Sequence, residues 1–137
     1  SQAQIDHAFA AFRGPIEQIP SMFSALKYKG QPLYKLARRG IEVERKSRRI
    51  TVYELNVLDF SDNIVTFDMR CSKGTYVRTI ADDFGERLGC GAHVIHLRRL
   101  TVGHFQTEQM ITMEKLENSD QENLMRYLLP LETITAN

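Results

Sequence analysis

The feature that most constrains the fold is a change of hydrophobic period across Cys71-Ser72-Lys73-Gly74-Thr75-Tyr76-Val77-Arg78. Before it, Val65, Phe67, Met69 and Cys71 alternate with Thr66, Asp68 and Arg70, the two-residue period of a half-buried strand. After it, Val77, Ile80, Ala81, Phe84 and Leu88 recur at helical spacing, the apolar stripe of an amphipathic helix. These residues therefore form a sharp turn between two anchored elements. Gly74 opens backbone conformations closed to other residues, and Ser72 or Thr75 is placed to accept hydrogen bonds from the first amides of the helix. If the chain is still extended there, side chains 76 and 78 point the same way.

That side would present a phenol and a guanidinium beside Lys73 and the positive end of a helix dipole. Such a surface suits a flat, polar, negatively charged ligand, and a nucleotide has that chemistry. Drawing a base out of its stack costs a few kcal/mol, and stacking it on an aromatic ring returns on the order of 1–3 kcal/mol. The competing reading packs Tyr76 into the core and leaves Arg78 as a solvated helix-start residue. Spacing alone does not separate the two.

Charge narrows the choice. Residues 27–49 hold nine basic side chains against Glu42 and Glu44, a local net of +7, whereas the whole chain carries only +1. A segment of this kind attracts phosphates by counterion release and should bind in a strongly salt-dependent way. The alternative is a solvated, partly self-neutralised face. Phe23, Tyr28 and Tyr34 lie among or beside the cations, and rings mixed with cations favour RNA, whose splayed bases need both.

The remaining elements read in order. Ile5, Ala8, Phe9 and Phe12 share a helical face, with Gly14-Pro15 as the stop. Residues 16–29 read as extended chain at a sheet edge leading to a turn at Lys29-Gly30, and Pro32 opens a short helix that Gly40 ends. Residues 50–58 and 64–71 read as two strands joined through Ser61-Asp62-Asn63. Residues 98–105 read as a further short strand, with Arg98 and Arg99 facing phosphate or guarding an edge. Thr112 caps one helix, and Ser119 with Glu122 forms a capping box for a second, which carries Leu124, Met125, Leu128 and Leu129.

With 42% hydrophobic and 26% charged residues, the 137-residue chain reads as one soluble globular unit. No apolar run approaches a membrane span of ~20 residues, so no membrane is expected and cytoplasm is the default. Cys71 and Cys90 are too few for a disulfide scaffold. Cys90, His93 and His96, with Cys71, offer a zinc reading, against which stand the flanking glycines and the absence of a second close-spaced ligand pair. Because the chain opens on Ser1, it reads as a piece of something longer.

The run 71–85, with Leu88-Gly89-Cys90-Gly91-Ala92-His93 and Leu97-Arg98-Arg99, resembles the bacterial tRNA pseudouridine synthases of the TruB type. Pro20-Ser21-Met22-Phe23-Ser24-Ala25-Leu26-Lys27 and the run 33–43 resemble the same family, so the likeness covers nearly all of residues 15–105 in the family's order. The resemblance implies an isomerase that converts a T-loop uridine of tRNA, uridine-55, to pseudouridine with no metal and no organic cofactor. It places Tyr76 as the ring that stacks on the target base and a candidate for removing the carbon-5 proton. It places Arg78 as the partner of a catalytic aspartate, and Leu97 as a contact to the base. Charge alone adds Lys73 and Lys27 as holders of the RNA backbone.

One departure matters. The family's aspartate sits in a glycine-rich loop, and nothing in this sequence matches that loop. The resemblance therefore implies that residues 1–129 are the C-terminal half of a catalytic domain and that 130–137 begin a linker or a frayed end. The fold expected is α+β, a mostly antiparallel mixed sheet with helices packed over it. The other half of the domain becomes an expected partner beside tRNA, and its loss should leave an unpaired strand edge and exposed apolar surface. The rival reading is a non-catalytic RNA-binding module.

Overall fold

The computed structural model describes residues 2–130 and 132–133. In chain order it contains α1 (Gln2–Ala10), β1 (Gly14–Gln18), β2 (Lys27–Tyr28), β3 (Gln31–Pro32), α2 (Leu33–Ala37), β4 (Arg48–Ser61), β5 (Ile64–Cys71) and α3 (Val77–Leu88). Then come β6 (Thr101–Val102), β7 (Phe105–Gln106), a single 3-10 turn, α4 (Met113–Glu117) and α5 (Gln121–Tyr127). The expected α+β class holds, with every strand pair antiparallel. The chain divides into two compact units, residues 1–95 and 96–137, rather than the single unit expected from composition. The reason is that every residue of both buried clusters lies before residue 89. The tail expected over 130–137 falls largely outside the described residues.

The first unit is built on a sheet of order β1-β4-β5. The β4–β5 turn places Asp62 and Asn63 at φ of 50° and 62°, the paired left-handed residues of a tight hairpin. Ile50 and Val52 point inward from β4, and then the phase changes. The register shifts between Val52 and Glu54, so Leu55 and not Glu54 is the next buried residue, and Leu58 is left 64% exposed. Just before the start of β1, the Arg13 guanidinium donates twice to the Leu55 carbonyl, at 3.1 and 2.7 Å.

Helices α1 and α3 supply the second layer. Ile5, Ala8, Phe9 and Phe12 meet Ile80 and Phe84 and the β4 residues Ile50, Val52 and Leu55 in one cluster. Phe9 stacks on Phe84 at 4.2 Å between ring centroids and meets the edge of Phe67 at 5.2 Å. Gly14 has φ of 85° and opens β1, which ties α1 to the sheet edge rather than merely stopping the helix.

Residues 19–47 leave the sheet and return to it. Gln18 and Arg48 are register partners, so the excursion begins and ends on one rung. Its β2–β3 hairpin turns at Lys29 and Gly30, as expected, and Met22, Leu33 and Leu36 form a small core of its own.

In the second unit, residues 98–105 do not form one strand. Gly103, at φ of 58°, reverses the chain, and Thr101–Val102 pairs with Phe105–Gln106. Thr112 caps α4 as expected, accepting from the Lys115 amide. The cap of α5 is Asp120, not Ser119, whose hydroxyl donates instead to the Lys115 carbonyl.

Candidate functional site

The turn between β5 and α3 is fastened at both ends by side chains that imitate backbone pairing. At its start, the Ser72 amide donates to the Thr51 carbonyl at 2.8 Å, and the Thr51 amide donates to Ser72 Oγ at 3.0 Å. At its end, the Tyr76 amide donates to Gln18 Oε1 at 2.8 Å, and Gln18 Nε2 donates to the Tyr76 carbonyl at 3.0 Å. Between them Thr75 Oγ1 donates to the Ser72 carbonyl, and Gly74 takes φ of 83°. At that angle a side chain would be strained.

Two expectations for this turn are corrected. Neither Ser72 nor Thr75 caps α3; the cap position is Tyr76, with no side-chain cap, because Ser72 is committed to β4 and Thr75 to Ser72. Residues 76 and 78 also do not share an extended stretch. Tyr76 is extended, with φ −99° and ψ 103°, and Arg78 already lies in the first helical turn.

Tyr76 is half-buried rather than sealed in the core, while Lys73 and Arg78 are exposed close to it in sequence on the same turn. A ring, a guanidinium and an ammonium are thus carried by one short, braced segment at the positive end of a 12-residue helix. Lys27 is exposed in β2, on the excursion. Leu97 is 57% exposed and belongs to the second unit.

Three cations of the excursion have defined surroundings. Arg45 is scaffold: its Nη1 donates to the Pro20 carbonyl at 3.1 Å and its Nη2 pairs with Glu42 at 2.9 Å. Lys29 and Arg38 lie over the rings of Tyr28 and Tyr34 at 5.5 and 5.4 Å. Tyr28, Lys29, Gln31, Leu36, Ile41 and Val43 border a concavity of about 270 Å³. Rings, cations and a hollow are thus carried together on one small module.

The residue that sequence reading missed is Gln18. It is 2% exposed and bonds Tyr76 through both its amide nitrogen and its amide oxygen, but a lone glutamine near the end of a strand carries no signal for a contact 58 positions away. Among the described residues no group of three or more His, Cys, Asp or Glu side chains is gathered as a metal site requires, and no helix is long and apolar enough to cross a membrane.

Residues 1–77 match the family model described as TruB family pseudouridylate synthase (N terminal domain). Residues 78–136 match that of the tRNA pseudouridylate synthase B C-terminal domain. The chain is 57% identical over 137 residues to tRNA pseudouridine synthase B of Coxiella burnetii (strain Dugway 5J108-111), covering 97% of this chain and 44% of the relative. It is 51% identical over 147 residues to the protein of the same name from Shewanella sp. (strain MR-7), covering 46% of that relative. It thus spans less than half the length of these relatives. Among solved structures, the crystal structure of a Cbf5-Nop10-Gar1 complex contains a similar chain, with TM-score 0.66 and 30% identity over 83% of this chain and 30% of that one. With the fold, the braced turn and both family models in agreement, the chain belongs to the TruB family of pseudouridylate synthases.

Proposed function

We propose that this chain is part of a cytoplasmic tRNA pseudouridine synthase acting on the T stem-loop, where uridine-55 is isomerised to pseudouridine without a cofactor. In this reading residues 1–129 are the C-terminal half of the catalytic domain. The observation that carries it is the half-buried Tyr76, braced by Gln18 at the head of α3 with Arg78 in the next turn.

Tyr76 stacks on the extruded uracil and is placed to take the carbon-5 proton. Arg78 pairs with the nucleophilic aspartate, and its positive charge favours the ionised carboxylate. That aspartate comes from the part of the family's length that this chain does not span. Leu97 contacts the base, while Lys73 and Lys27 hold the RNA backbone.

The test is a chimera in which residues 1–137 replace the matching part of the Coxiella burnetii relative, assayed on a T stem-loop RNA. Tyr76→Phe is expected to lower turnover by about 10²–10⁴-fold, the range typical of a lost proton-transfer group, with affinity little changed. Arg78→Ala should likewise act on turnover. A non-catalytic RNA-binding module predicts changes in affinity alone. The purified 137-residue chain is expected to form no product, and measurable product from it would refute the division of labour.

A further inference from the structure

We infer that Gln18 is a positioning residue: its side-chain amide fixes the backbone of Tyr76 and thereby the direction in which the ring is presented. The inference rests on the reading of Tyr76 given above. Tyr76 lies at the junction of a turn and a helix, where neither a strand ladder nor the helix supplies a partner for its amide. Gln18 supplies that partner and also donates to the carbonyl, which in addition accepts from the Ile80 amide at 3.1 Å. One buried side chain thus satisfies both polar groups of a single peptide residue, as a neighbouring strand would.

With both groups held, φ and ψ at residue 76 have little freedom, and the Cα–Cβ bond that aims the ring is fixed to the β1–β4 sheet. The ring itself needs no buried contact for this. It can remain accessible to a ligand and still be aimed. A glutamine suits the task because its planar amide presents a donating nitrogen and an accepting oxygen side by side. An aspartate or glutamate anion could accept from the amide but not donate to the carbonyl.

Gln18 is also the last residue of β1, where the excursion of residues 19–47 begins. The same side chain therefore anchors Tyr76 to the root of the basic module.

The experiment compares Gln18→Met and Gln18→Glu in the chimera, with Tyr76→Phe as reference. Gln18→Met keeps the bulk and removes both hydrogen bonds. It is expected to lower kcat about 10- to 100-fold, the scale of an ångström-sized misplacement, with KM within about threefold of the parent. Gln18→Glu restores a donor and an acceptor only when protonated. Its turnover relative to the parent should therefore climb as pH falls, whereas that of Gln18→Met should stay flat.

A readout independent of turnover uses the 137-residue chain labelled with 3-fluorotyrosine, the Tyr76 resonance being identified by its loss in Tyr76→Phe. That resonance is expected to shift or broaden in Gln18→Met at a temperature where the chain is still folded. Parent-like kcat in both variants overturns the inference, as do losses that follow the folded fraction at every pH. An unchanged Tyr76 resonance does the same, even if the chimera proves inactive. An inactive parent chimera, or a fully active Tyr76→Phe, instead overturns the functional reading and leaves the resonance to decide the role of Gln18.

Discussion

In α3 the apolar stripe is buried, with Ile80 at 0% and Phe84 at 6% exposure; in α5 the corresponding residues Leu124 and Met125 stay 37% and 62% exposed. Both helices are amphipathic, and α5 has the better N-cap. The difference is what faces them. Phe84 has Phe9 stacked on it, whereas every described residue of 96–137 is exposed or half-buried. Local signals therefore suffice to start and stop a helix, but a stripe becomes a core only where a second layer closes over it.

The largest expected effect sharpens this contrast. Phe9→Ala should cost about 3–5 kcal/mol in chemical denaturation, the range for emptying a core aromatic, while Met125→Ala should stay within about 0.5 kcal/mol. Equal losses would break the comparison. Next comes Gly85→Ala in α3. A methyl there would run into the Ala92 amide nitrogen and the Gly91 carbonyl carbon, backbone atoms that cannot swing aside as a flexible side chain can. A loss of about 1–3 kcal/mol is expected, and an unshifted thermal transition would show that the loop gives way freely.

Asp120→Ala removes the cap of α5 and should cost about 1 kcal/mol, read as lost amide protection within residues 121–127 only. A matching loss of protection in β4 would mean that the two regions unfold together.

The smallest effect is electrostatic. Partial burial first, then the neighbouring Asp82 and Glu86, raise the Asp83 carboxyl above its ordinary value of 3.8. The fold thus favours the protonated form, so the favourable contribution is complete below 3.8 and is lost as pH rises through the raised value. Asp83→Asn should accordingly be more stable than the parent at neutral pH, with the gap closing in acid. A gap that widened in acid would reverse the assignment.

Much of the main unit was legible in the sequence. The strand-to-helix switch at residues 71–78, the hairpin at Asp62-Asn63 and the Lys29-Gly30 turn all follow from side-chain periodicity and left-handed residues. The phase change in β4 was written there too, since Ile50, Val52, Leu55 and Val57 are apolar while Glu54 and Asn56 are not, but a rigid period of two conceals it. The cap at Tyr76 was not legible. Ser72 and Thr75 have the chemistry of caps, and only the fold shows that nearer partners claim them. Gln18 was less legible still, because its meaning lies wholly in a residue far along the chain.

The shared rung of Gln18 and Arg48 has a consequence for variation in length. A chain excursion whose two feet stand side by side exerts no pull on the sheet, and doubling its length adds only about 0.6 kcal/mol of closure entropy. The excursion is in that sense a replaceable cartridge: longer, shorter or foreign inserts can be spliced between residues 19 and 47 while the strands keep their alignment, provided the glutamine at the threshold is retained.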